Sequence, residues 1–285
     1  MLKNAICALC VLFSISAHAS PSWCERILGG LGPNWASAQS ISEKDPKLVQ
    51  AGRIWARLED FWARELGARG LQFIPSTLVI YDSVTRTACG HGLATTGPFY
   101  CPLDMKTYVS FAFWDELVTR FRAKGEAARL YVLAHEFAHH ILQITGFVAP
   151  FNAAKSSLPV VWGNKLSVLH ELMADAMAGY FVAHERQAGK LVDADARDAF
   201  FASAAVGDDH VQKPTGMIRP ETFSHGTGEQ RSAAFRRGFM ASSLAELNLF
   251  ADPGVEHIVH PQIRALLYSH LKWMMIAPKK RRQHP

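Results

Sequence analysis

The string Ala134-His135-Glu136-Phe137-Ala138-His139-His140 constrains this chain more than any other segment. Its neighbours Tyr131, Val132, Leu133, Ala134, Phe137, Ala138, Ile141 and Leu142 are apolar, which places the motif on a largely buried helix. Polar groups in such a setting need partners, because burying one unpaired costs roughly 1–3 kcal/mol. At about 3.6 residues per turn, His135 and His139 stand one turn apart on one face and can share a metal ion. Glu136 is offset by about 100°, beside the ion rather than on it, where a general base for an activated water belongs. The bland alternative is two surface histidines with a glutamate between them, and the apolar flanks count against it.

A third ligand must come from elsewhere. The extended pattern HExxHxxGxxH is excluded, since Leu142 and Thr145 stand where it needs glycine and histidine. A later segment, His170-Glu171-Leu172-Met173-Ala174-Asp175, sets Glu171 and Asp175 four apart, hence on one helical face. One of these carboxylates can bind the metal while the other accepts the second ring N–H of a ligand histidine. We assign Glu171 to the metal and Asp175 to the orienting role; spacing alone also permits the reverse. His140 and His170 point about 100° away from their motif neighbours and read as packed or solvent-facing histidines.

Periodicity predicts helices over Pro46–Gly67, Glu126–Thr145 and Lys165–Gln187, and further ones near Asp195–Ala205, Glu229–Leu247 and Ile263–Met275. Phe73–Tyr81 and Thr107–Phe113 read as strands, with the GPFYCPLD segment (97–104) between them as a turn or extended rim. Pro150 and Pro159 delimit an expected loop, Phe147 to Trp162, which raises the question of a lid. Early strands followed by helices predict an α+β fold, a small N-terminal sheet packed on a mainly helical body. No linker divides the chain, so residues 20–285 are expected to form one domain.

Residues 1–19 read as a signal peptide: Lys3, the apolar run from Ala5 to Ile15, and Ala17-His18-Ala19 before a cut at Ser20. The run falls short of the roughly 20 residues that span a bilayer, and an uncleaved anchor is the alternative. The expected destination is the periplasm or the exterior, with no transmembrane segment in the mature chain. After cleavage Cys24, Cys89 and Cys101 remain. An oxidising compartment permits Cys89 and Cys101 to close the Gly-rich loop between them, leaving Cys24 free or paired between molecules. The absence of CxxC pairs excludes a zinc ribbon. The formal charge is +5, scattered except for Lys279, Lys280, Arg281 and Arg282. That run reads as a solvated tail, and nucleic acid is not an expected partner.

Taken together, HEFAHH, HELMADAMAG (170–179), GDDHVQ (207–212), SHGTGEQRSAAFRRGF (224–239) and GPFYCPLD resemble a bacterial family of neutral zinc metallopeptidases. The likeness spans Cys89 to about Phe239. Ser224, Thr227-Gly228 and Ala176 depart from the family pattern, none at a catalytic position. Members often carry a membrane anchor, which this chain lacks if its leader is removed. The resemblance implies a zincin-like fold, Zn2+ held by His135, His139 and Glu171, and Glu136 as the catalytic carboxylate. By the same analogy His225 is a candidate to stabilise the oxyanion of a tetrahedral intermediate, and Arg231 is a second candidate or a structural partner of a carboxylate. Thr227 and Gln230 fit a capping box that opens the helix carrying Arg231. Asp208 and Asp209 read as helix-end and turn residues.

The expected function is therefore hydrolysis of peptide bonds in a peptide or protein substrate, with GPFYCPLD either a rim strand for an extended chain or a structural turn. Two rivals share the motifs: a zinc-binding chaperone or scaffold without turnover, and a zinc hydrolase of a cell-wall amide or an ester.

Overall fold

The computed structural model describes residues 45–94, 97–119, 125–255 and 258–278. The signal peptide, Cys24 and the basic run at 279–282 lie outside the described residues.

The first helix, α1 (Pro46–Gly67), starts where Asp45 accepts the backbone N–H of Lys47 and Pro46 occupies the first turn. It buries Ile54, Trp55, Leu58 and Trp62 on one side, and the Trp55 ring meets Phe137 edge-on at 4.8 Å between centroids. A three-stranded sheet follows, built from β1 (Thr77–Tyr81), β4 (Phe99–Cys101) and β5 (Lys106–Ser110) in the order β1-β5-β4. β1 and β5 are parallel, whereas β4 runs antiparallel to β5 and forms an edge. A hairpin of β2 (Val84–Thr87) and β3 (Gly90–Leu93) makes a separate two-stranded sheet. The disulfide Cys89–Cys101 ties the hairpin turn to β4.

The body is helical: α2 (Phe111–Thr119), α3 (Gly125–Ile144), α4 (Val148–Ser156), α5 (Val160–Gln187), α6 (Asp193–Ala205), the short α7 (Asp208–Gln212), α8 (Gly228–Met240) and α9 (Pro261–His270). α5 is buried without interruption from Met173 to Ala183, on every face. It is the central rod, packed by α3, α6 and α8. The fold is thus α+β, mainly helical with a small sheet.

Several boundaries differ from the sequence reading, each for a local reason. The expected loop at 147–162 is mostly helix α4. Pro150 is the third residue of α4, where an absent N–H loses nothing because first-turn donors have no intrahelical acceptor. Pro159 is the N-cap of α5, so the helix carrying Glu171 begins at Val160 rather than Lys165. The second strand stops at Ser110, whose hydroxyl accepts the Phe113 N–H and opens α2. The helix expected over Glu229–Leu247 ends at Met240, and a separate 3-10 turn covers Leu244–Leu247. The hairpin β2–β3 escaped the sequence reading, because Gly90-His91-Gly92 has no strand propensity.

Two glycine contacts set how α8 lies on α5. A Cβ on Gly238 would stand 1.7 Å from the Ala176 carbonyl oxygen, and one on Gly179 would stand 2.0 Å from that of Phe235. The two backbones therefore touch, and α8 delivers its side chains deep against α5.

Candidate metal centre

His135 and His139 project from one face of α3 toward Glu171 on α5. The Nε2 atoms of the two histidines lie 3.2 Å apart. Glu171 approaches with one carboxylate oxygen 3.0 Å from His135 Nε2 and the other 3.5 Å from His139 Nε2. One donor atom from each residue falls within 4.8 Å of the others, a grouping of two imidazoles and one carboxylate. That donor set suits zinc with a coordination position left for a reactant.

Asp175, one turn beyond Glu171, decides the state of the first histidine. Its Oδ1 lies 2.8 Å from His135 Nδ1. A proton held on Nδ1 for that bond leaves the Nε2 lone pair directed at the cluster. Electron-rich atoms from three residues then converge on one point, an arrangement that suits a cation between them. Electrostatics agree in direction. Burial opposes charge on His135, yet the Asp175 and Glu171 carboxylates raise it to about 10. Burial likewise opposes ionised Glu171, but His139 and His135 hold it well below the usual carboxylate range.

Asp175 is itself completely buried. It accepts from Tyr131 Oη at 2.6 Å, and Arg231 from α8 clasps it with Nε on Oδ2 (2.9 Å) and Nη2 on Oδ1 (3.0 Å). Burial would raise its pKa, but Arg231 and His135 bring it down to about 2. Arg231 also donates to the Val206 carbonyl. Its guanidinium pairs with Asp175, the carboxylate contact that the structural reading of Arg231 expects. Tyr131 was missed in the sequence; it stands one turn before His135 on the same helix face, the signal that could have found it.

Glu136 lines the same cleft, a cavity of about 430 Å³. It is buried, and among the described residues it has no hydrogen-bond or ion-pair partner. His225 borders the cleft from the segment before α8, its side chain half exposed. Asp208 organises that segment: one oxygen accepts the N–H groups of Ser224, His225 and Gly226, and the other lies 3.2 Å from His225 Nδ1. Burial lowers the His225 pKa, but the Asp208 hydrogen bond and the Glu171 charge outweigh it and the pKa is raised. The helix-end reading of Asp208 holds, with an ionic contact to His225 that sequence did not supply. The capping box is formed by Thr227 and Gln230.

His140 and His170 are packed. His140 donates from Nε2 to the Ile74 carbonyl and accepts from Tyr100 Oη at Nδ1, which binds β4 to α3. His170 lies against Phe151 and the His139 ring. Burial lowers them to about 4 and about 3, so both are neutral. The Cys89–Cys101 pair forms as the sequence allowed, Cα atoms 5.8 Å apart, and fixes β4, whose Phe99 and Tyr100 wall the cleft.

Fold and site together bring two histidines, one glutamate and a neighbouring carboxylate to one place between two helices, a group that could hold a metal ion. The chain belongs to the family described as "Putative neutral zinc metallopeptidase", whose model matches residues 32–250. It is 35% identical over 216 residues to the Escherichia coli K12 protein named uncharacterized protein YpfJ, covering 75% of each chain. It is also 36% identical over 172 residues to uncharacterized protein Rv2575 of Mycobacterium tuberculosis H37Rv, covering 56% of this chain and 57% of that one. No solved structure matches. The family description implies zinc, and the His135, His139 and Glu171 donors fit it. Among the described residues no helix is long and apolar enough to cross a membrane.

Proposed function

We propose that this chain is an exported zinc-dependent endopeptidase. The observation that carries the reading is Glu136: a buried carboxylate without a partner among the described residues, opening on the cleft beside His135, His139 and Glu171. A binding-only site has no use for such a group, whose burial without a partner costs stability that only a chemical role would justify. Zinc, when bound, supplies a Lewis acid that polarises a carbonyl and acidifies a water. Glu136 takes the proton from the attacking water and returns it to the leaving amine. Glu171, His135 and His139 hold the ion, and Asp175 with Arg231 and Tyr131 fixes the His135 ring. His225, charged through Asp208, faces the cleft as the donor to the developing oxyanion. β4 is an edge strand along the cleft wall, and an extended substrate can add to it through main-chain hydrogen bonds. The leader-like residues 1–19 and the disulfide support export.

The test is digestion of an unfolded protein mixture by the zinc-loaded chain, with Glu136→Gln alongside and cut sites read by mass spectrometry. Cuts by the wild type alone are expected, with zinc content equal in both. Wild-type cuts that persist in Glu136→Gln would remove Glu136 as the base. No cuts by either would turn the reading toward a non-peptide amide or ester, or toward binding without turnover.

A further inference from the structure

The two ends of the cleft differ in chemistry, and the difference selects a substrate. The His139 end is closed by α4. His170 packs 4.7 Å from the His139 ring and 4.5 Å from Phe151, and Val148 and Phe151 line that wall beside the amide of Asn152. α2 meets α3 before the histidines, where Arg129 lies 6.0 Å from the Trp114 ring, and Phe113 and Glu116 of α2 line the cleft together with Tyr131 and Val132, about one turn before His135. Phe113 and Glu116 are three apart and share a helical face.

Apart from Glu136, the proposed base, the other charges in the cleft are mostly paired. Glu171 faces the two histidines, and Asp208 uses both oxygens on His225 and the 224–226 amides. Arg231 is the lone lysine or arginine among the lining residues, and Asp175 occupies its Nε and Nη2. Glu116 is partly exposed and has no partner among the described residues. A substrate side chain reaching Glu116 meets a carboxylate with no counterion among the described residues, although the whole chain carries a formal charge of +5.

Resting on the peptidase reading, we propose that Glu116 is the specificity-determining residue and that the chain cuts beside a lysine or arginine, with an apolar residue on the other side of the scissile bond. The Phe113 ring takes the aliphatic stem of the basic side chain, and its charged head reaches Glu116. Val148 and Phe151 take the apolar neighbour.

The experiment compares kcat/KM of the zinc-loaded full chain on matched peptides that carry lysine, norleucine or glutamate at one position beside the cut and leucine at the other. Lysine is expected to exceed norleucine about tenfold, the range for a partly screened charge pair. In Glu116→Gln that ratio should fall toward one, and Glu116→Lys should favour the glutamate peptide over the lysine peptide. A wild type that cuts without a basic preference, or a preference unchanged in Glu116→Gln, overturns the proposal while leaving the peptidase reading intact. A wild type that cuts none of the peptides or of the unfolded mixture overturns both.

Discussion

Asp175, itself completely buried, receives hydrogen bonds from Tyr131, His135 and Arg231, so its charge and its shape serve different neighbours. In Asp175→Asn the shape persists and the charge does not. Arg231 is then a buried cation without a counterion, a loss of about 3–5 kcal/mol. His135 loses its orienting acceptor, which lowers zinc affinity roughly 10–100-fold. Urea unfolding and competition against a chelator measure the two effects; wild-type values in both would show that Asp175 orients nothing. The depressed pKa also sets a window. Asp175 contributes stability at pH above its ordinary value, and that contribution is lost as pH falls from about 4 to about 2. His225 behaves oppositely. Its raised pKa keeps it charged above the ordinary histidine range, and its stabilisation is lost as pH rises through the folded value. If charged His225 assists turnover, kcat/KM falls on the alkaline side at a pH above 6.5, and Asp208→Asn moves that fall to lower pH. An identical alkaline limb in wild type and variant would refute the pairing.

At the scale of elements, the α5–α8 contact places Arg231 on Asp175. Because the Gly238 position leaves 1.7 Å to the Ala176 oxygen, Gly238→Ala must push the helices apart. The expected loss is about 3 kcal/mol or more in urea unfolding, beyond ordinary overpacking because backbone rather than side chain must move. Zinc affinity should fall with it, as Arg231 withdraws from Asp175. A variant that unfolds like the wild type would mean that α8 can shift freely. The motif containing Gly238 was legible as a string, but its reason was not. Helical spacing shows which residues share a face, whereas the distance between two helix backbones appears only when both are packed. The same limit explains the missed α4. Pro150 reads as a breaker along the sequence, and only the position of the helix start decides that it sits in the first turn.

For the whole molecule, the candidate metal donors come from α3 and α5, and α8 completes the support, so an ion bound there would fasten separate helices together. An ion that binds the folded chain alone stabilises it by RT ln(1 + [L]/Kd), about 4 kcal/mol at a thousandfold excess over Kd. Chelation should therefore lower Tm, and re-addition of zinc should restore it, in thermal unfolding followed by circular dichroism. Glu171→Ala should abolish that zinc-dependent shift, while a substitution at exposed Arg197 should retain it. Equal shifts in wild type and Glu171→Ala would place the ion elsewhere.

The local chemistry was determined by sequence. Two histidines one turn apart, a glutamate beside them and two carboxylates one turn apart on a later helix follow from helical periodicity, which is a property of neighbouring residues. The α+β order and the Pro46–Gly67 helix follow for the same reason. Tertiary structure decided what depends on meeting: that Glu171 reaches both histidines while Asp175 takes His135 Nδ1, that Arg231 is held by Asp175, that Asp208 meets His225, and that Glu116 stands in the cleft without a counterion among the described residues. These are distances between segments 17 to 56 residues apart in the chain, set by the close α5–α8 packing and the burial of α5 on all sides, and no repeat or spacing encodes them.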